Sequence, residues 1–158
     1  VSNPQFGQSL SIKLIGQVDH SIFQSIEQYS LMAYLNHIPF LSHKDALKEL
    51  QSSQVLLLPI NDTPNSLGVI PGKIYEYLGA RRPIIGIGPL NGDSAQILDD
   101  SGAGRMFAYQ SHAEIRSQLE NYFDNFSKGQ LASKTGQIMQ YSRKAMAKSY
   151  AELLEDLA

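Results

Sequence analysis

The sequence predicts an α/β protein: a Rossmann-like, doubly wound parallel sheet of about five to six strands with helices on both faces. Three observations lead there. Short apolar runs alternate with amphipathic segments along the 158 residues, an order that parallel strands joined by right-handed crossovers satisfy. The run PIIGIG (83–88) is apolar without alternation, as in a strand covered on both faces. Finally, the loops 17–20, 61–72 and 88–93 all follow strands, so all are expected on the carboxyl edge, where such sheets bind ligands at a switch in strand order.

Composition narrows the partners. A net charge of −2 provides no broad footprint for nucleic acid or an anionic membrane. There is no cysteine, which removes disulfides, thiolate metal sites and a cysteine nucleophile, and fits a reducing compartment. No apolar run approaches the ~18 residues that cross a bilayer, so no transmembrane segment is expected. The first residues, VSNPQFGQSL, are polar and carry no signal-peptide pattern. They start abruptly without an initiator methionine, and the chain is expected to be one domain cut from a longer protein.

Taken in order, SIKLIG (11–16) reads as a short strand ending in glycine. Asp19 or Ser21 caps a helix to about Leu31, with Ile22, Phe23, Ile26 and Tyr29 as its buried stripe. AYLNHIPF (33–40) reads as extended. Ser42, with Asp45 imitating a capping box, opens a helix through about Ser52 that turns Ala46, Leu47 and Leu50 inward. QVLLLPI (54–60) is the clearest strand, stopped by Pro59 and the turn-rich NDTPNS. After PIIGIG, Asp93 or Ser94 caps a helix to about Asp100, and GRMFAY (104–109) makes a fifth strand. Ser111 caps a helix to about Phe126, with Ile115, Leu119, Tyr122 and Phe123 on one side. A final helix over 134–157 carries Met139, Met146, Tyr150, Leu153 and Leu157 near a 3.5-residue period. That stripe is either core or the face orphaned by a missing domain, and then a dimer contact.

The chemistry concentrates in IPGKIYEYLGARRPIIGIG (70–88). Pro71 suits a first helical turn, and Gly72 with Lys73 place backbone donors and a cation at a positive helix end, a ready anion site. Ile74 and Leu78 form the inward stripe, with Tyr75 beside them, while Lys73 and Glu76 share the other face. Gly79 loosens the end, Arg81 and Arg82 complement the negative terminus, and Pro83 stops the helix. From spacing alone, Lys73 and Glu76 read first as an exposed i, i+3 ion pair contributing ~0.3 kcal/mol or less.

PGKIYEYLGARRPII resembles the nucleotide-binding signature of two-domain GT-B glycosyltransferases, above all the large retaining family four. Other stretches are similar to the same family: LSIKLIGQVD, HIPFLSHKDALKELQSSQVLLLP and GDSAQILDDSGAG. The resemblance covers roughly 11–127 and implies the C-terminal, donor-binding domain of an enzyme that transfers sugar from a nucleoside-diphosphate sugar, in surface polysaccharide or glycan synthesis. By position it implies Glu76 on the ribose and Gly72 with Lys73 on the diphosphate. Phe40 and Leu41 would lie near the base, with Gly16 at the first strand's exit. The family's second acid falls at Gly68, so the sugar contact is missing or comes from elsewhere in loop 61–70, where Ser66 is a candidate. The resemblance further implies no metal and no cofactor beyond the donor, an acceptor domain N-terminal to this piece that holds the catalytic groups, and a fragment inactive alone. It implies a cytoplasmic protein, peripheral to the inner membrane at full length.

Rival readings carry less. GIGPLNG (86–92) nearly spells G-x-G-x-x-G, but its third glycine comes one place late and no acid ends the next strand, against an NAD site. It reads better as a tight turn. His20, His37, His43 and His112 form no ligand pair at helical spacing. A noncatalytic doubly wound nucleotide-binding module, or part of a nucleotide-sugar epimerase, remains the alternative.

Overall fold

A computed structural model describes residues 3–132 and 137–156. It has two compact units, Val1–Glu49 and Leu50–Ala158.

The first unit contains α1 (Pro4–Ser9), β1 (Ile12–Ile15), α2 (His20–Gln28) and β2 (Leu35–Ile38), and leads into α3 (His43–Ser52). β1 and β2 pair in parallel, Ile12 opposite Leu35 through Ile15 opposite Ile38. α1 is an element the sequence reading left out. Its signal is the Asn-Pro pair: the Asn3 side chain accepts the backbone N–H of Gln5 (3.0 Å) and of Phe6 (3.2 Å), and Pro4 takes the first turn. Asp19 caps α2, accepting the Ser21 N–H at 2.9 Å and its hydroxyl at 2.6 Å. Those two bonds hold the Asp19 carboxyl below its ordinary value. Ser42 and Asp45 form the reciprocal box at α3, with Asp45 N–H donating to Ser42 Oγ (3.2 Å) and that hydroxyl donating back to Asp45 Oδ2 (2.7 Å). Lys13 of β1 pairs with Glu49 of α3.

The inward stripe of α2 is narrower than expected. Phe23 and Ile26 are half-buried, but Ile22 is exposed and Tyr29 is 72% exposed. Tyr29 already lies beyond the helix at ψ 8°, and Ser30 turns to φ 57°, so helical spacing no longer directs them. The extended segment is shorter too, because Met32–Tyr34 form a 3-10 turn before β2.

The second unit contains β3 (Leu56–Pro59), α4 (Lys73–Ala80), β4 (Ile84–Ile87), α5 (Asp93–Ser101), β5 (Gly104–Phe107), α6 (His112–Ser127) and α7 (Arg143–Asp156). Its sheet is parallel, in the order β3-β4-β5. One face bears Leu56, Leu58, Ile84 and Met106, and onto it pack Ile74 and Leu78 of α4 with Ala95, Ile97 and Leu98 of α5. Both crossover helices therefore lie on the same side, as two successive right-handed crossovers in one direction require. On the other face Ile85 and Phe107 are buried but Leu57 is 54% exposed, so β3 alternates although its sequence does not. Arg105 stacks over Phe107 on that face, 5.2 Å from the ring centre.

Several expectations are corrected here. Among the described residues the five strands form sheets of two and three, not one sheet of five or six. Strand order in the larger sheet simply follows the chain, so neither sheet contains an internal switch point. The two crossover helices of β3-β4-β5 share a side, while Ile85 and Phe107 on the other face are buried as well. Asp93 and Ser94 do not cap α5: Gly92 precedes it with no side-chain cap, and Ser94 is buried within it. Ser111 stands before α6, but its side chain makes no cap bond; its carbonyl accepts the Ile115 N–H instead, at 2.9 Å. The last helix is two pieces, a 3-10 turn at Ile138–Tyr141 and α7, with Ser142 extended between them at ψ 147°. The expected start at 134 and Leu157 lie outside the described residues.

Two helices end in left-handed geometry, α5 at Gly102 (φ 64°) and α4 at Arg81 (φ 55°). Glycine takes that conformation without the steric cost an L side chain incurs. Arg81→Gly is expected to raise unfolding stability by up to about 1 kcal/mol, and Gly102→Ala to lower it by about as much. Urea unfolding followed by circular dichroism checks both signs.

Candidate functional site

The start of α4 is built by the chain that enters it. Residues 61–70 leave β3, pass a 3-10 turn at Ser66–Gly68 and reach Pro71, whose carbonyl accepts the Ile74 N–H at 2.9 Å. The Gly72 carbonyl accepts the Tyr75 N–H at 3.3 Å. Pro71 thus sits just ahead of the helix rather than within it, and Gly72 is the cap residue at φ −54° and ψ −31°. Gly72 and Lys73 are both exposed, and a methyl group on Gly72 would meet nothing within 4 Å. The first donors of a helix have no partner inside it, and its dipole makes this end positive. Glu76 follows in the first turn, half-buried, where a carboxylate favours the dipole.

Loop 61–70 is held in place. The Ser66 N–H donates to Thr63 O at 2.9 Å and the Gly68 N–H to Asn65 O at 3.2 Å. Farther on, Ser94 Oγ donates to Val69 O at 2.7 Å, tying the loop's end to the first turn of α5. Gly92 sits beneath the loop: a methyl group there would lie 3.0 Å from Leu67 O. Sequence reasoning assigned Ser94 to capping and missed this tie. A serine just inside a helix was the visible signal, but the partner lies 25 residues away.

The remaining glycines of GIGPLNG serve packing. A methyl on Gly86 would come within 2.7 Å of Met106 Sδ and 2.9 Å of Leu98 Cδ1, and one on Gly88 within 2.9 Å of Ile60 Cβ. None of the three has a positive φ. Close approach inside the core, rather than a phosphate cradle, accounts for Gly86 and Gly88.

Ser66, Gly68, Gly72, Lys73 and Glu76 thus share one loop and helix start in the second unit, with open space at Gly68 as well. Gly16, Phe40 and Leu41 belong to the first. There Gly16 takes φ 102°, donates its N–H to Ile38 O at 3.0 Å, and has its carbonyl 3.0 Å from His37 Nε2. His37 also meets Phe23 edge-on at 5.0 Å. Both residues are therefore engaged in joining the ends of β1 and β2. Phe40 is largely exposed and Leu41 half-buried.

Burial, and then the neighbouring Glu76 carboxylate, hold the Tyr77 phenol above its ordinary value. Burial does the same for Tyr122, and for Tyr141, where Asp100 adds to it. Among the described residues no group of three or more His, Cys, Asp or Glu is placed to hold a metal ion, and no helix is long and apolar enough to cross a membrane.

The chain matches no protein-family model, no curated protein and no solved structure.

Ser94→Ala removes a donor from a carbonyl beside the core and is expected to cost about 1–2 kcal/mol, measured by urea unfolding. The raised phenols set a pH dependence. The folded state disfavours their ionised form, so their contribution is fully present below about pH 10, the unfolded value, and is lost as pH rises through the folded values. Stability is expected to fall above about pH 10, with part of the tyrosine absorbance titrating late.

Proposed function

We propose that this chain is the donor-binding part of a glycosyltransferase that uses a nucleoside-diphosphate sugar. The observation that carries the reading is the exposed, unobstructed start of α4, where Gly72 and Lys73 open the helix and Glu76 follows within a turn. A diphosphate would accept from the helix's first backbone donors and pair with the Lys73 ammonium. The Glu76 carboxylate would accept both ribose hydroxyls, a demand that a single neutral acceptor meets poorly. Gly68 leaves room where the resembled family has an acid, and Ser66 is the polar side chain nearest to it in sequence.

On this reading, chemistry follows from placement. The helix end and Lys73 would stabilise the charge that gathers on the departing diphosphate, an effect that preorganised donors supply without reorganisation. Acceptor binding and any proton transfer fall to a further domain, together with the polysaccharide or glycan role and the place at the inner membrane that the resemblance implies. This chain by itself binds donor without turning it over.

Calorimetric titration with UDP, GDP and ADP tests the reading. One of the three is expected to bind, with Glu76→Ala and Lys73→Ala each weakening it by about tenfold or more. Silence with all three, or affinity untouched in both variants, contradicts it.

A further inference from the structure

The first unit holds a hollow that none of the candidate site residues lines. Asn3, Pro4, Gly7 and Gln8 border it on one side and Tyr34 on the other, around a space of about 270 Å³. Helical spacing puts positions 3, 4, 7 and 8 on one face of α1, while the half-buried Phe6 and Leu10 fall on another. The wall has a glycine where glycine is costly. Gly7 lies within α1, donates its N–H to Asn3 O at 3.0 Å and accepts the Leu10 N–H at 3.3 Å. Its φ is not positive, so the backbone does not require glycine there, and a helix interior is destabilised by having it. What the glycine leaves is space, across from an aromatic ring.

The lining selects the kind of occupant. None of its residues is charged, and neither residues 1–12 nor residues 28–42 contain an acid or a base other than His37. A phosphate or carboxylate brought there would lose water without gaining a countercharge, and a divalent cation would find no carboxylate. A wholly apolar ligand would strip water from the carboxamides. The groups on offer are neutral and polar. Gln8 can both donate and accept; Asn3, whose Oδ1 accepts the Gln5 and Phe6 N–H groups, keeps its Nδ2 as a donor. Tyr34 adds a ring face and a hydroxyl. Such a set matches a ring that is apolar on its C–H face and hydroxylated round its rim, which is a sugar. The space is just under the ~300 Å³ at which small-molecule sites begin, so it suits one ring rather than a whole nucleotide sugar.

We infer that the hollow between α1 and Tyr34 binds one neutral sugar unit of a glycan, stacked on the Tyr34 ring and hydrogen-bonded by Gln8 and Asn3. It belongs wholly to the first unit and uses no residue of α4 or its loop, so it stands or falls independently of the donor-site reading. Binding is weak, with a dissociation constant on the order of 1–10 mM, as for other ligands of about a dozen heavy atoms.

Amide chemical-shift mapping of the chain against glucose, galactose, mannose and N-acetylglucosamine, each to about 50 mM, tests this. At least one of the four is expected to shift residues 3–8 and 34. Gln8→Ala, at an exposed position, is expected to weaken that sugar by about fivefold. Gly7→Leu fills the space with a better helix former, so it is expected to abolish the shifts while the circular dichroism spectrum stays unchanged. Glucuronate and galacturonate, which add a carboxylate to the same ring, are expected to bind at least about tenfold more weakly than the neutral sugar. Absence of shifts with all four sugars overturns the proposal. So do undiminished binding in Gly7→Leu, a uronate that binds as tightly as the neutral sugar, and shifts centred outside residues 3–8 and 34.

Discussion

The second unit depends on one buried contact: the inner face of β3-β4-β5 against α4 and α5. Leu58, Ile74, Ile84 and Leu98 are completely buried there, with Leu78 and Met106 nearly so. Each such side chain contributes roughly 1.5–3 kcal/mol of transfer free energy. The exposed charges on α4 contribute a few tenths apiece. Hydrophobic contact therefore decides where α4 lies, and its charged first turn goes where the core places it. Ile74 and Leu78 draw the helix down on the sheet, while Gly72 and Lys73, just ahead of Ile74, stay exposed.

Tight packing between β4 and β5 sharpens that placement. A methyl group on Gly104 would lie 2.1 Å from Ile84 O, so no other residue fits this register without moving a strand. Gly86 and Gly88 let Met106, Leu98 and Ile60 close over β4 in the same way. The loop ahead of α4 is constrained from the far side, by Ser94 on Val69 O and by Gly92 under Leu67. Packing thus fixes the loop and the start of α4.

Local signals were legible where short-range physics decides. The caps at Asp19 and Ser42, the inward pair Ile74 and Leu78, and the doubly covered β4 all follow from spacing within a turn or a strand. What escaped depends on distant partners. Nothing in LLLP marks Leu57 as the exposed one, because that is settled by which helices cross and on which side. Ser94 looked like a cap because its true acceptor lies across the loop. Division of the strands into two sheets was hidden for the same reason, since alternation of strands and helices specifies parallel pairing but not which strands pair. Of the candidate site, the loop and helix residues were readable as a continuous stretch, whereas Gly16 gave no sign that His37 would take its carbonyl.

The central claim is that the start of α4 receives a diphosphate and its ribose. Amide chemical-shift mapping during titration with a nucleoside diphosphate tests it most directly. The account predicts shifts concentrated at residues 66–76, largest at Gly72 and Lys73, and reduced there in Glu76→Ala. Shifts centred elsewhere, or none at saturating ligand, would contradict it.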